Sequence, residues 1–278
     1  MKSSHASHIR PRRSLGQNFL RDDNIARKIV TLFEPRKDDC VLEIGPGEGA
    51  LTSQLVGRCS SLTVVELDRR AATLLEKTYA ARDVDVRHAD FLSLDLGAFA
   101  RSHRRKVRIL GNIPYNITSP ILFHVLDNRE VVEDLLIMVQ KEVARRMAAQ
   151  PQDDEYGILS VFCGYCADVE LLFDVSPNAF YPKPQVTSTV VRLEMREPAF
   201  SLALDERFFR LMVRSVFGKR RKTLRNSLRY FCEPRDLALP ESPLLDKRPE
   251  ELSIQQLVEL SNTLAVSNRN DDLSANTR

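Results

Sequence analysis

The stretch Cys40-Val41-Leu42-Glu43-Ile44-Gly45-Pro46-Gly47-Glu48-Gly49-Ala50-Leu51 decides the fold. Its first five residues form an apolar run of strand length, and the run stops at a glycine-rich turn. Ala50, Leu51, Leu55 and Val56 then fall at helical spacing. A buried strand, a turn and a helix in that order form the opening of an α/β unit. Glycines at alternate positions let the backbone approach a ligand closely and leave the amides of the following helix free to bind it. Gly45, Gly47 and Ala50 satisfy the G-x-G-x-x-A spacing of dinucleotide sites. The stretch lacks the Gly-Lys-Ser/Thr that a phosphate-cradling P-loop carries, which argues against one.

Working outward, Leu62 to Val65 reads as a second strand ending at Glu66, where a carboxylate would accept both hydroxyls of an adenosine ribose. Val84-Asp85-Val86 begins a third strand, closed by Asp90-Phe91. Val107 to Leu110 is a fourth, opening into Gly111-Asn112-Ile113-Pro114-Tyr115, and Ser119-Pro120 marks a helix start. Leu135 to Val139 is a fifth strand, followed by Gln140 to Met147, a helix start carrying Lys141, Arg145 and Arg146. Ile158 to Cys166 reads as an apolar helix and Val169 to Val175 as a strand. Val191, Leu193 and Met195 alternate with Arg192 and Glu194, as in a half-exposed antiparallel strand. On the amino-terminal side, Asp22 and Asp23 are candidate caps for a helix whose core face is Ile25, Ile29, Leu32 and Phe33.

The chain has 278 residues, 43% hydrophobic and 28% charged, the composition of a soluble globular protein of about two domains. It has no apolar run of membrane-spanning length and no signal-peptide core, so no membrane association is expected. Five cysteines at irregular spacing fit reduced thiols in a cytoplasmic protein. Cys163 and Cys166 have CxxC spacing but lack a second ligand pair, so no metal site is expected. The net charge is only +3, yet nine cations and no acid lie between Arg207 and Arg229, which leaves about −6 for the rest (3 minus 9). Phe208, Phe209, Met212, Val216 and Phe217 supply a core face, which turns the cations outward toward a phosphate backbone.

In the 112–115 loop, an amide oxygen and a proline carbonyl can accept both hydrogens of an exocyclic amine, and an aromatic face can stack on the base. The loop resembles the Asn-Leu/Ile-Pro-Tyr form of ribosomal RNA adenine dimethyltransferases. Leu15-Gly16-Gln17-Asn18-Phe19-Leu20 resembles the signature that opens that family. Glu43, Gly45, Gly47 and Gly49 resemble the Glu-x-Gly-x-Gly-x-Gly of S-adenosylmethionine methyltransferases. Ala179-Phe180-Tyr181-Pro182-Lys183-Pro184 and onward to Ser188 resembles the family's Ala-Phe-x-Pro-x-Pro-x-Val-x-Ser, with Gln185 and Thr187 departing from its common form. Residues 218–228 and Arg248 to Ser253 resemble its small helical domain.

The resemblance covers residues 14 to about 265. It implies a doubly wound, Rossmann-like S-adenosylmethionine methyltransferase sheet with one antiparallel edge strand, plus a C-terminal helical domain. The expected layout is a disordered basic arm (1–13), a methyltransferase domain (14–200), a helical RNA-binding domain (201–265) and a disordered tail (266–278). The implied cofactor is S-adenosylmethionine, held by Asn18, Leu20, Glu43, Gly45, Gly47, Gly49, Glu66, Asp90, Phe91 and Asn112. Asn112, Pro114, Tyr115 and Phe180 are the implied catalytic set. Lys141, Arg145, Arg146, Arg214, Lys219, Arg220, Arg221, Lys222 and Arg225 are the RNA-contact candidates. The implied reaction is N6,N6-dimethylation of two adjacent adenosines near the 3′ end of small-subunit (16S) rRNA. The partners are that RNA and the immature 30S subunit, and the enzyme is expected to be a monomer. Rival readings are a large-subunit (macrolide-resistance type) dimethyltransferase, a non-catalytic RNA-binding assembly factor and a nicotinamide-dependent dehydrogenase. The last gives no reason for the basic helices.

Overall fold

The structure, a computed structural model, describes residues 9–196, 202–219 and 222–275, with side chains as far as 266. Its strands are β1 (Phe19–Leu20), β2 (Cys40–Ile44), β3 (Ser61–Glu66), β4 (Asp85–His88), β5 (Val107–Asn112), β6 (Val132–Gln140), β7 (Ala167–Val175), β8 (Phe180–Tyr181) and β9 (Ser188–Met195). Its helices are α1 (Asp23–Phe33), α2 (Thr52–Leu55), α3 (Arg69–Thr78), α4 (Leu96–His103), α5 (Thr118–Asp127), α6 (Lys141–Ala148), α7 (Ile158–Cys166), α8 (Glu206–Phe217), α9 (Leu224–Cys232) and α10 (Ile254–Ala275).

Seven strands form one sheet in the order β4-β3-β2-β5-β6-β9-β7, with β2 to β6 mutually parallel and β9 antiparallel to β6. β2 is buried along its whole length and β5 as far as Gly111, which explains why they read as apolar runs with no alternation. The chain leaves β2 toward β3 and β4, then returns to the other side of β2 for β5 and β6. With right-handed crossovers this reversal puts helices on both faces and opens a crevice between the carboxyl ends of β2 and β5. At the opposite end of those strands the Arg108 guanidinium is buried, pairing with Asp39 and Asp134 at 2.7 Å each and donating to the carbonyls of Phe33 and Glu34. Removing one member of such a set leaves an uncompensated buried charge, at a cost of about 3–5 kcal/mol.

Two compact units divide the chain: one runs to Ala144 and resumes at Asp168–Arg196, and the other holds Arg145–Ala167 and the residues after 196. Residues 145–167 therefore group with the helical unit, although the sequence reading placed them in the first domain. The reason is aromatic packing: Phe162 and Tyr165 of α7 lie 6.4 and 5.0 Å from the ring of Phe209 in α8. The expected tail also differs. From Ile254 to Ala275 there is no glycine or proline to stop a helix, and α10 continues to Ala275. Residues 1–8, Arg220, Arg221 and 276–278 lie outside the described residues.

Residues 9–13, expected to be unattached, are held by polar contacts. The Ile9 amide donates to Glu48 Oε1 at 3.0 Å, the Arg12 amide donates to Gln17 Oε1 at 2.9 Å, and the Arg10 carbonyl accepts from Arg70 at 3.2 Å. Ile9 and Pro11 supply its only apolar surface and are half-buried, so its order rests largely on these pairings. Among the described residues no helix is long and apolar enough to cross a membrane, and no cluster of potential metal ligands occurs.

Candidate active site

A cavity of about 250 Å³ occupies the crevice at the carboxyl ends of the parallel strands. Gly45 and Gly47 of the turn after β2 form its floor, at φ of 60° and 58°, and Gly49 behind them has a φ of 85°. At Gly47 the need for glycine is steric as well, since a Cβ there would stand 2.8 Å from Cδ1 of Phe19. Gly49 has a packing role in the structure. It does not line the cavity, and its absent side chain makes room for Leu75, whose Cδ2 would stand 3.0 Å from an added Cβ.

Two buried acids stand beside the turn. Glu66 ends β3, and its carboxylate accepts from the amides of Gly47 at 3.0 Å and Asp68 at 2.8 Å. Burial raises its pKa, and these amides oppose the shift. One amide per oxygen leaves each oxygen able to accept again, as a pair of ribose hydroxyls requires. Glu43 is 1% exposed and accepts from Thr52 Oγ1 at 2.7 Å. Burial pushes its pKa up to about 8, with repulsion from Glu66 adding to the shift and the Thr52 bonds opposing it.

The opposite wall is the 112–117 loop. Asn112 ends β5, and its Nδ2 donates to the Asn18 carbonyl at 3.0 Å. A carbonyl can only accept, so this bond fixes which way the amide faces and leaves Oδ1 as the uncommitted acceptor. The Asn18 side chain itself donates to the Gly16 carbonyl at 3.3 Å, so Asn18 meets Asn112 through its backbone. The Pro114 carbonyl accepts from the Ile117 amide at 3.2 Å, which leaves one lone pair free. That bond closes the one-turn 3-10 helix Tyr115–Ile117, so α5 begins at Thr118, and Ser119 and Pro120 sit inside its first turn.

The Tyr115 hydroxyl lies 2.7 Å from Ser188 Oγ, and Ser188 on β9 is wholly buried. Burial raises the pKa of the phenol, and the Ser188 bond opposes that. Asp90 is exposed and caps the next turn through a 3.0 Å bond from the Leu92 amide, while Phe91 is buried edge-on to His124. Both line the cavity, as do Leu20, Gly45 and the Pro114–Tyr115 pair.

Phe180, expected in the catalytic set, stands apart from this cavity. It is 5% exposed, does not line the cavity, and packs in the core cluster that includes Leu20, Met138 and Val190. The cause is the short antiparallel pairing of β8 with β1, which sets Phe180 opposite Leu20. Conversely, Ser14, Gln17 and Phe19 line the cavity without having been singled out. Gln17 is anchored by donating to Asp68 Oδ2 at 3.1 Å, and Asp68 is held down to a pKa of about 2, chiefly by Arg70.

The family model for ribosomal RNA adenine dimethylase matches residues 9–265. The chain belongs to the ribosomal RNA adenine dimethylase family. The ribosomal RNA small subunit methyltransferase A of Saccharophagus degradans is 43% identical over 92% of this chain and 95% of its own length. The solved structure of 23S rRNA methyltransferase ErmE is 29% identical, with TM-score 0.63, covering 89% of this chain and all of that one. A dimethyladenosine transferase from Plasmodium falciparum has TM-score 0.72 at 24% identity, over 87% of this chain and 95% of its own. Family membership makes the chain an rRNA-methylating enzyme, and the higher identity to the small-subunit relative favours that reading over the large-subunit one.

The cationic candidates are distributed unevenly. Lys141 is paired with Asp174, and Arg225 pairs with Asp246 at 3.0 Å. Arg145 and Arg146 are exposed, and Arg214 lies 5.6 Å from the ring of Phe162. Lys219 and Lys222 converge on one exposed ring, Tyr230.

Proposed function

We propose that the enzyme uses S-adenosylmethionine to dimethylate the N6 amines of two adjacent adenosines near the 3′ end of small-subunit rRNA. It would act as a cytoplasmic monomer on the immature 30S subunit. The observation that carries this reading is Asn112, whose amide nitrogen is committed to the Asn18 carbonyl and whose Oδ1 is left for an incoming amine.

The residues suit the cofactor. Gly45 and Gly47 open the floor to close approach, Glu66 retains an acceptor on each oxygen for the ribose, and Asp90, Phe91 and Leu20 line the same cavity. When bound, S-adenosylmethionine supplies an electrophilic methyl group that passes to the amine lone pair as the sulfur leaves as a neutral thioether.

The adenine amine is a poor nucleophile, because its lone pair is delocalised into the ring. Asn112 Oδ1 and the free lone pair of the Pro114 carbonyl accept its two hydrogens and turn the nitrogen out of conjugation. Positioning of this kind supplies several kcal/mol. Tyr115, with its hydroxyl fixed to β9, offers a ring to the flipped base. The surplus proton leaves to water. At the second transfer the monomethylated amine has one hydrogen left, so only one of the two acceptors is engaged. Lys219, Lys222, Arg145 and Arg146, with Arg220 and Arg221, contact phosphates.

The test is to incubate the enzyme with S-adenosylmethionine and unmethylated immature small subunits, and to analyse the RNA nucleosides by mass spectrometry. N6,N6-dimethyladenosine at two adjacent positions is expected. Unmodified RNA, or methylation elsewhere, overturns the proposal.

A further inference from the structure

Tyr230 occupies a place in the helical unit that core packing does not explain. The core face of α9 is Leu224, Leu228 and Phe231, all buried, whereas Tyr230 keeps 48% of its surface exposed. Lys222 Nζ donates to its hydroxyl at 2.7 Å and stands 4.7 Å from the ring centroid, and Lys219 Nζ stands at 5.1 Å. The hydrogen bond from Lys222 lowers the pKa of the phenol. Both lysines lie between α8 and α9 in the chain and Tyr230 lies on α9, so separate segments bring cationic and aromatic groups to one surface point. The stretch from Arg207 to Arg229 contains no acid, which makes the surface complementary to a polyanion.

An exposed ring bracketed by ammonium groups matches the two halves of an unpaired nucleotide. The ring offers a face to a base, and flexible lysines can move from the ring to the phosphates on either side. We propose that Tyr230 is a stacking platform for one unpaired nucleobase of bound RNA, with Lys219 and Lys222 on the flanking phosphates. This rests on the RNA-methylating reading of the cavity and adds to it a contact that senses strandedness. Bases in a duplex are stacked on one another and offer no free face, so the ring discriminates where the cations do not. Base identity is not read, since every base has a π face.

The experiment uses the full chain with two probes, a short oligouridylate carrying one 5-iodouridine and an RNA duplex of equal length. Uridine is not the methylated base, so the cavity does not compete for the probe. Irradiation should crosslink the iodouridine to Tyr230, located by peptide mass spectrometry. Tyr230→Ala should weaken oligouridylate binding about five- to a hundred-fold, the loss of one base–aromatic stack. Duplex binding should be unmoved. Tyr230→Phe should bind as the wild type, and Tyr230→Leu, with apolar bulk but no π face, as Tyr230→Ala. Lys219→Ala and Lys222→Ala should each lower the salt slope by roughly one phosphate, and Tyr230→Ala should not change it. Tyr230 is exposed, so its variants should keep the wild-type melting midpoint.

The proposal is overturned if Tyr230→Ala or Tyr230→Leu binds oligouridylate as the wild type does, or if the crosslink maps elsewhere. An effect of the lysine variants alone would mark the patch as a surface for phosphates or an acidic peptide, with no part for the ring. Methyl transfer by the wild type, measured in parallel, separates the two readings. Transfer with Tyr230-independent binding removes only this inference, and Tyr230-dependent binding without transfer removes the functional reading and leaves this site.

Discussion

The bond between Tyr115 and Ser188 gives a prediction whose two halves differ in size. It joins a half-buried phenol on the catalytic loop to a hydroxyl that is 0% exposed on β9, at 2.7 Å. A neutral hydrogen bond is worth about 0.5–1.5 kcal/mol net, while a buried group left without its partner costs about 1–3 kcal/mol. Tyr115→Phe leaves the Ser188 hydroxyl sealed in the sheet, so it falls in the larger range. Ser188→Ala leaves the hydroxyl of the half-buried Tyr115, a residue that lines the cavity and is less sealed than Ser188, so it falls in the smaller one. The double variant should be less destabilised than the sum, with a coupling of about 1 kcal/mol by chemical denaturation. The tether also fixes the ring against which the base docks. Losing about 0.5–1.5 kcal/mol of that order should slow single-turnover methyl transfer about two- to twelve-fold in either single variant. Tyr115→Ala, which removes the stacking face itself, should also weaken base capture, reported by 2-aminopurine at the target position. Additive stabilities would refute the coupling. A Ser188→Ala enzyme slowed by more than about 100-fold would refute a tethering role, because a single neutral hydrogen bond cannot supply that much.

Glu43 gives a pH prediction. Its folded pKa of about 8 lies above the ordinary 4.5, so the stability it contributes is fully present below pH 4.5 and is lost as pH rises through 8. The difference amounts to on the order of 5 kcal/mol. Glu43→Gln should therefore flatten the fall in stability between pH 5 and pH 9 measured by denaturant titration; parallel curves for the two proteins would contradict the buried-acid account. Gly47→Ala combines a φ of 58° with a Cβ 2.8 Å from Phe19, so the turn or the Phe19 ring that lines the same cavity must shift. Calorimetry should show S-adenosylmethionine affinity reduced about ten-fold or more, and an unchanged affinity would mean that this turn is not the cofactor floor.

Local chemistry made part of this molecule legible from sequence. The apolar runs of β2, β3 and β5 read as buried strands because both faces of a central parallel strand lack water, and the apolar run Ile158–Cys166 coincides with α7. Glu66 and Asn112 were legible because each ends a strand at the crevice. What stayed hidden depends on pairings between distant segments. Ser188 is 73 residues from Tyr115, and nothing local marks its hydroxyl as a tether. The proline-rich loop around Phe180 suggests a presented ring, and its local sequence does not show the pairing with β1 that packs the ring beside Leu20. Gly49 completes an alternate-glycine pattern, but its space is used by Leu75 of α3. Residues 9–13 looked unattached because order bought with Glu48, Gln17 and Arg70 leaves no apolar trace.

The most direct measurement of the central claim compares wild type and Asn112→Ala on unmethylated small-subunit RNA in single turnover, with nucleosides identified by mass spectrometry. The account predicts N6-methylated and then N6,N6-dimethylated adenosine from the wild type. It predicts a rate at least about 100-fold lower from Asn112→Ala, the order lost with one preorganised transition-state hydrogen bond, at unchanged RNA affinity. An Asn112→Ala enzyme that methylates adenosine at the wild-type rate would contradict it.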